Sequence, residues 1–88
     1  MTTYVIDVYY KLNKTTKVND MDDMDDLLNT HAKKYGGILT SSDVGPYGCC
    51  CFFPTLWRIN IFFIPKENIH EFRDKMPKNF HIDKCFLL

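Results

Sequence analysis

Residues 56–64, "LWRINIFFI", decide the architecture. Read as an extended chain, they place Trp57, Ile59, Ile61 and Phe63 on one side and Arg58, Asn60, Phe62 and Ile64 on the other. Their β-branched and aromatic content makes a strand the expected state. Downstream, "PKENIHEFRDKMP" (65–77) has the spacing of a helix, with Pro65 in its first turn, Pro77 ending it and Ile69, Phe72 and Met76 as its apolar stripe. Glu71 and Lys75 are placed to pair at i,i+4, worth roughly 0.2–0.5 kcal/mol. "FHIDKCFLL" (80–88) closes the chain as a strand.

Upstream, Pro54 interrupts the β-prone run "YGCCCFF" (47–53), because proline cannot donate to a central ladder. Pro54–Thr55 is expected to form a tight turn or bulge, "GPYG" (45–48) a turn and "ILTSSDV" (38–44) a short strand. Before it, Met21, Met24, Leu28 and Tyr35, widened by Leu27 and Ala32, give helical spacing. Lys33 and Lys34 suit the last turn of that helix, and Gly36 or Gly37 its left-handed cap. At the start, Tyr4, Ile6, Val8, Tyr10 and Leu12 alternate with Val5, Asp7, Tyr9 and Lys11, which predicts a first strand.

The order is β-α-β-β-α-β in a single domain, residues 1–88. The expected fold is α+β, a ferredoxin-like sandwich: an antiparallel sheet of four strands, five if the cysteine-rich segment adds one, with two helices on one face. The first strand and 56–64 then lie side by side at the centre. If the helices cover Ile6, Val8, Ile59 and Ile61, the open face shows Val5, Asp7, Tyr9, Arg58, Asn60 and Phe62.

With 88 residues and zero formal net charge, the chain lacks the excess Lys and Arg that holding a nucleic-acid backbone demands. No apolar run reaches the ~20 residues of a membrane span, and the start has no signal-peptide pattern. A cytosolic protein with free cysteines is expected.

Residues 20–26 hold five aspartates, Asp20, Asp22, Asp23, Asp25 and Asp26. A calcium loop needs a Gly at its sixth position and a Glu at its twelfth. Starting from Asp20 these are Asp25 and His31, so that reading fails. Acids in a first helical turn gain ~0.3–1 kcal/mol each from the dipole, and Asn19 or Asp20 can cap. One or two acids suffice for that, while Asp22–Asp25, Asp22–Asp26 and Asp23–Asp26 repel. The surplus points to a solvated acidic ridge that engages a basic surface on another protein. Cys49, Cys50 and Cys51 are consecutive, unlike zinc-ligand spacing, and with Cys85 they read as small buried hydrophobes. No cofactor or metal is implied.

Aromatics on the central strands resemble the base-stacking platform of RNA-recognition modules, and "GPYGCCCFF" resembles their third-strand motif. Pro46 stands where that motif has a basic residue, and Cys49 where it has an aromatic. Asp7 on the first strand resembles the acid of small ferredoxin-like nucleases of CRISPR systems, which would imply metal-dependent cleavage. The three histidines fall on three different elements, and no nucleophile has a base at motif spacing. The expectation is therefore a small non-catalytic inhibitor or adaptor. It would bind a protein partner with a basic surface, such as a nucleic-acid-binding host protein, through the acidic ridge or through Tyr9, Arg58 and Phe62. The same sheet face could also support a homodimer. Small stand-alone domains with acid clusters are frequent among phage-encoded anti-defence proteins of the anti-CRISPR type, which makes that class the leading expectation.

Overall fold

The computed structural model describes residues 2–12, 17–46 and 56–88. β1 (Thr3–Leu12) leads to α1 (Val18–Lys34), β2 (Ile38–Pro46), β3 (Leu56–Pro65), a 3-10 turn (Lys66–Asn68), α2 (Ile69–Asp74) and β4 (His81–Leu87). The strands form one antiparallel sheet in the order β2-β3-β1-β4. β3 and β1 are its centre, and both helices pack on the same face, so the ferredoxin-like sandwich is the fold. Cys49–Cys51, Pro54 and Thr55 lie outside the described residues, and with them the expected extra strand and bulge.

α1 starts where its first-turn acid can act. The Asp20 carboxylate accepts the Lys17 backbone N–H at 3.2 Å, so Asp20 is the third helical residue rather than the cap. The helix stops at glycine, as its last turn suggested. Gly36 takes φ +71°, and the Gly37 N–H reaches the Ala32 carbonyl at 2.8 Å. Gly37 is needed for a different reason. A Cβ there would come within 2.5 Å of Ile64 Cδ1 and 2.9 Å of the Ala32 oxygen. α2 is shorter than the sequence spacing implied, because Lys66–Asn68 take a 3-10 turn first. Ile69 and Phe72 still dock, and Met76 packs at the margin.

The core lies between the sheet and the helices. Ile6, Val8 and Tyr10 of β1 and Phe62 and Ile64 of β3 meet Leu28, Ala32, Ile69, Phe72 and Phe80. His31 is buried with them, its Nε2 2.9 Å from the Phe72 carbonyl and its ring against Tyr35 and Phe72. Leu27, expected to widen the helical stripe, is 50% exposed.

The phase of β3 is opposite to the expectation. Directly opposed residues of an antiparallel pair point to the same face. Ile6 opposes Phe62, Val8 opposes Asn60 and Tyr10 opposes Arg58. Phe62 (1% exposed), Asn60 (1%) and Arg58 therefore lie under the helices. Ile59 and Ile61, expected in the core, face the open side. Phe62 and Arg58 are thus removed from the open-face binding set. Loss of a phenyl ring so deep in the core would cost about 3–5 kcal/mol and would disrupt the fold rather than test a surface.

Candidate functional site

The inversion of β3 is explained by one aspartate. Asp25 lies four residues after Met21 and three before Leu28, on the inward side of α1. Its Oδ2 accepts from Arg58 Nε at 3.1 Å and Nη2 at 2.9 Å. Its Oδ1 accepts from the Tyr10 hydroxyl at 2.6 Å and from Asn60 Nδ2 at 3.2 Å. Ser42 Oγ donates to the remaining Asn60 oxygen. Among the described residues no buried side-chain nitrogen or oxygen is left without a partner. A helix-facing strand can hold an Arg and an Asn because the helix supplies the carboxylate that satisfies both. Burial pushes the Tyr10 phenol well above its ordinary pKa; the hydrogen bond to Asp25 and that carboxylate's charge push the same way, and Arg58 partly offsets them.

This sorts the acidic run. Asp20 closes the first turn of α1 and Asp25 is internal, its side chain only 22% exposed. Asp22, Asp23 and Asp26 are exposed. Four of the five acids stay at the surface, Asp20 among them at the helix start, and Asp25 leaves the expected ridge.

The face of the sheet opposite the two described helices is where the apolar residues of β3 emerge. Trp57, Ile59, Ile61 and Phe63 are half-buried there, beside Val5, Asp7, Tyr9 and Lys11 of β1. Tyr9, Trp57 and His81 form a cluster, with ring centroids 5.1 Å apart for Tyr9–Trp57, 5.4 Å for Tyr9–His81 and 6.4 Å for Trp57–His81. Val5 sits between Phe63 and Phe86 in register. Ile38 on the β2 flank is 65% exposed and Phe86 on the β4 flank 51%. Asp43 is carried on the same face by its register with Ile59. Burial raises the pKa of Asp7, the nearby Asp83 charge adds to the shift, and Lys84 partly offsets it. Of the residues expected on the open face, Val5, Asp7 and Tyr9 lie there, and Arg58, Asn60 and Phe62 do not. Trp57, Ile59, Ile61, Phe63 and His81 were missed. The legible signal was an aspartate on the apolar stripe of α1, which demands polar partners on the strand it meets.

The remaining chemistry is sparse. Among the described residues no three His, Cys, Asp or Glu side chains converge on a metal site. Burial raises the pKa of the half-buried Cys85 thiol, and Arg73 partly offsets this. Two open clefts, of about 380 and 460 Å³, lie by Thr2, Tyr4 and His70 and by Lys11, Trp57 and His81. No helix among the described residues is long and apolar enough to cross a membrane.

No family model and no curated protein matches the sequence. The fold is similar to that of solved structures. One is the 30S ribosomal protein S6 from Thermotoga maritima, with TM-score 0.60 and 6% identity over 98% of this chain and 88% of that one. At this identity the likeness concerns the fold.

Proposed function

We propose that this chain is a small non-catalytic cytosolic binding protein, an inhibitor or adaptor that docks another protein through the uncovered face of its sheet. One observation carries the reading: Trp57, Ile59, Ile61 and Phe63 stand on the face that neither described helix covers, while the polar side chains of the same strand are turned inward. A contiguous apolar face on a small domain is a mark of interaction. Trp, Tyr and Phe are favoured anchors at such surfaces. The patch of Asp22, Asp23 and Asp26 lies on α1, away from this face, and would add electrostatic steering toward a basic partner. A phage-encoded inhibitor of bacterial defence, of the anti-CRISPR type, fits this arrangement of a docking face and an acidic patch.

The test is affinity capture from nuclease-treated cytosol, with the wild type beside Ile61→Lys and beside Asp22→Asn/Asp23→Asn/Asp26→Asn. A stoichiometric protein lost with Ile61→Lys and kept, more weakly, by the triple variant is the expected result. A partner kept by Ile61→Lys would refute the reading.

A second reading, stacking of single-stranded RNA, is favoured by the Tyr9–Trp57–His81 cluster. Asp7 and Asp43 on the same face work against a phosphate backbone. It predicts quenching of Trp57 fluorescence by oligoribonucleotides at low salt, lost in Tyr9→Ala. An unquenched wild type removes it.

A further inference from the structure

The register of the open face gives its residues fixed rows from the β2 flank to the β4 flank. At one end the row reads Ile38, Phe63, Val5 and Phe86. Further along it reads Asp43, Ile59, Tyr9 and His81. At the far end Trp57 stands beside Lys11. The two flanks of each row are complementary in kind. An exposed Ile faces an exposed Phe across the apolar row, and a carboxylate faces an imidazole across the other.

We propose that this face closes on a second copy of the chain, the two sheets packing through a two-fold axis that runs along the strands between β3 and β1. The inference rests on the reading of this face as the docking surface, and it names the first partner that the face meets. Rotation about such an axis exchanges β2 with β4 and β3 with β1 but keeps every row in place. Ile38 then meets the second copy's Phe86, and Phe63 meets its Val5. Asp43 meets the His81 ring, whose N–H can donate to the carboxylate. Lys11 meets the Trp57 indole face, a cation–π arrangement. Each contact occurs twice, as an isologous interface requires. A two-fold running across the strands would instead set the apolar row on the row of Trp57 and Lys11, with Ile38 over Gly45 and Val5 over Lys11. It forfeits these matches.

The described strands then make an eight-stranded sandwich of aligned sheets with the helices outside. Asp7 is the one unfavourable element, since it falls on the second copy's Ile61, with Asp83 and Lys84 of its own β4 beside it. Any other protein that uses the face has to displace the second copy, so self-association sets the supply of free docking surface.

The test is sedimentation of the full chain from low- to high-micromolar concentration, with folding checked by circular dichroism. The wild type is expected to shift from monomer to dimer with concentration. Ile59→Lys should weaken association by about 100-fold or more. Asp43→Lys and His81→Asp should each weaken it about 10-fold, and the double variant should recover most of the loss. Asp7→Asn should tighten it. A wild type that stays monomeric, or a dimer indifferent to Ile59→Lys, overturns the proposal. Two weakening single variants without recovery overturn the two-fold along the strands. A monomeric wild type that still loses a captured protein on Ile61→Lys would sink self-association alone and leave the docking surface standing.

Discussion

Replacing Asp25 with alanine tests the inward-turned polar side of β3 directly. The change removes one carboxylate and four hydrogen bonds, from Tyr10, Asn60 and twice from Arg58. Tyr10 keeps the Met21 carbonyl at 3.1 Å, so its hydroxyl is not stranded. Asn60, 1% exposed, has no such alternative for its amide donor, and a stranded buried donor costs about 1–3 kcal/mol. Arg58 loses its counter-charge. Breaking a fully buried pair costs about 3–5 kcal/mol, but these side chains are 18% and 22% exposed, and the guanidinium can turn toward water. A total of about 3 kcal/mol is the reasoned figure. That is a large part of the stability of so small a domain, and at a urea slope of about 1 kcal/mol/M it lowers the midpoint by about 3 M. The assay is equilibrium urea unfolding of the variant beside Asp22→Ala and Asp26→Ala, whose exposed side chains should each matter by less than about 0.5 kcal/mol. If Asp25→Ala falls within the range of those controls, the network does not hold the strand's phase. A double-mutant cycle with Arg58→Met should show a coupling of about 1 kcal/mol or more.

Because the folded state raises the Tyr10 pKa, the stability tied to its protonated form is complete below about pH 10, the ordinary tyrosine value, and is lost as pH rises through the folded value. Absorbance titration of the tyrosines should therefore leave one phenol silent until the alkaline unfolding transition, and its ionisation in step with the others would contradict this. For Asp7 the folded pKa is also raised, so its ionised form opposes folding at neutral pH and its protonated form does not. Asp7→Asn should raise the urea midpoint at pH 7 and leave it unchanged at pH 3; a loss at pH 7 would contradict the sign. Gly37→Ala should cost about 1–3 kcal/mol from overpacking against Ile64 and the Ala32 carbonyl. Gly36→Ala should cost about 1 kcal/mol from its positive φ alone, so the reverse order in thermal melts would refute the assignment of the two roles.

The element order could be read from the chain because each element carried its own punctuation. Gly36 ends α1, Pro65 bounds β3, and the alternation of β1 names its buried face. β3 lacked that last signal. From Ile59 to Ile64 every residue but Asn60 is apolar, so alternation separates two faces without saying which is covered. The usual rule that polar side chains face water then selects the wrong face, since Arg58 and Asn60 are satisfied from α1 rather than by solvent. Asp25 could be read as a surface acid for the same reason. Its four aspartate neighbours are exposed, and only its spacing from Met21 and Leu28 sets it apart. His31 follows this pattern too, a polar residue on the helix's inner side whose partner, the Phe72 carbonyl, is 41 residues away.

The position of β2 has a consequence for dynamics. Among the described residues it pairs with β3 alone, residues 38–44 are all exposed, and α1 touches it only lightly, so no neighbouring strand holds its outer edge. Its amides should exchange with solvent through local opening well before the rest of the sheet lets go. Each such opening also strips Ile38 and Asp43 from one flank of the docking face. The extent of that face is thus a matter of equilibrium, and whatever binds across it will slow hydrogen exchange in a strand it covers only on one side.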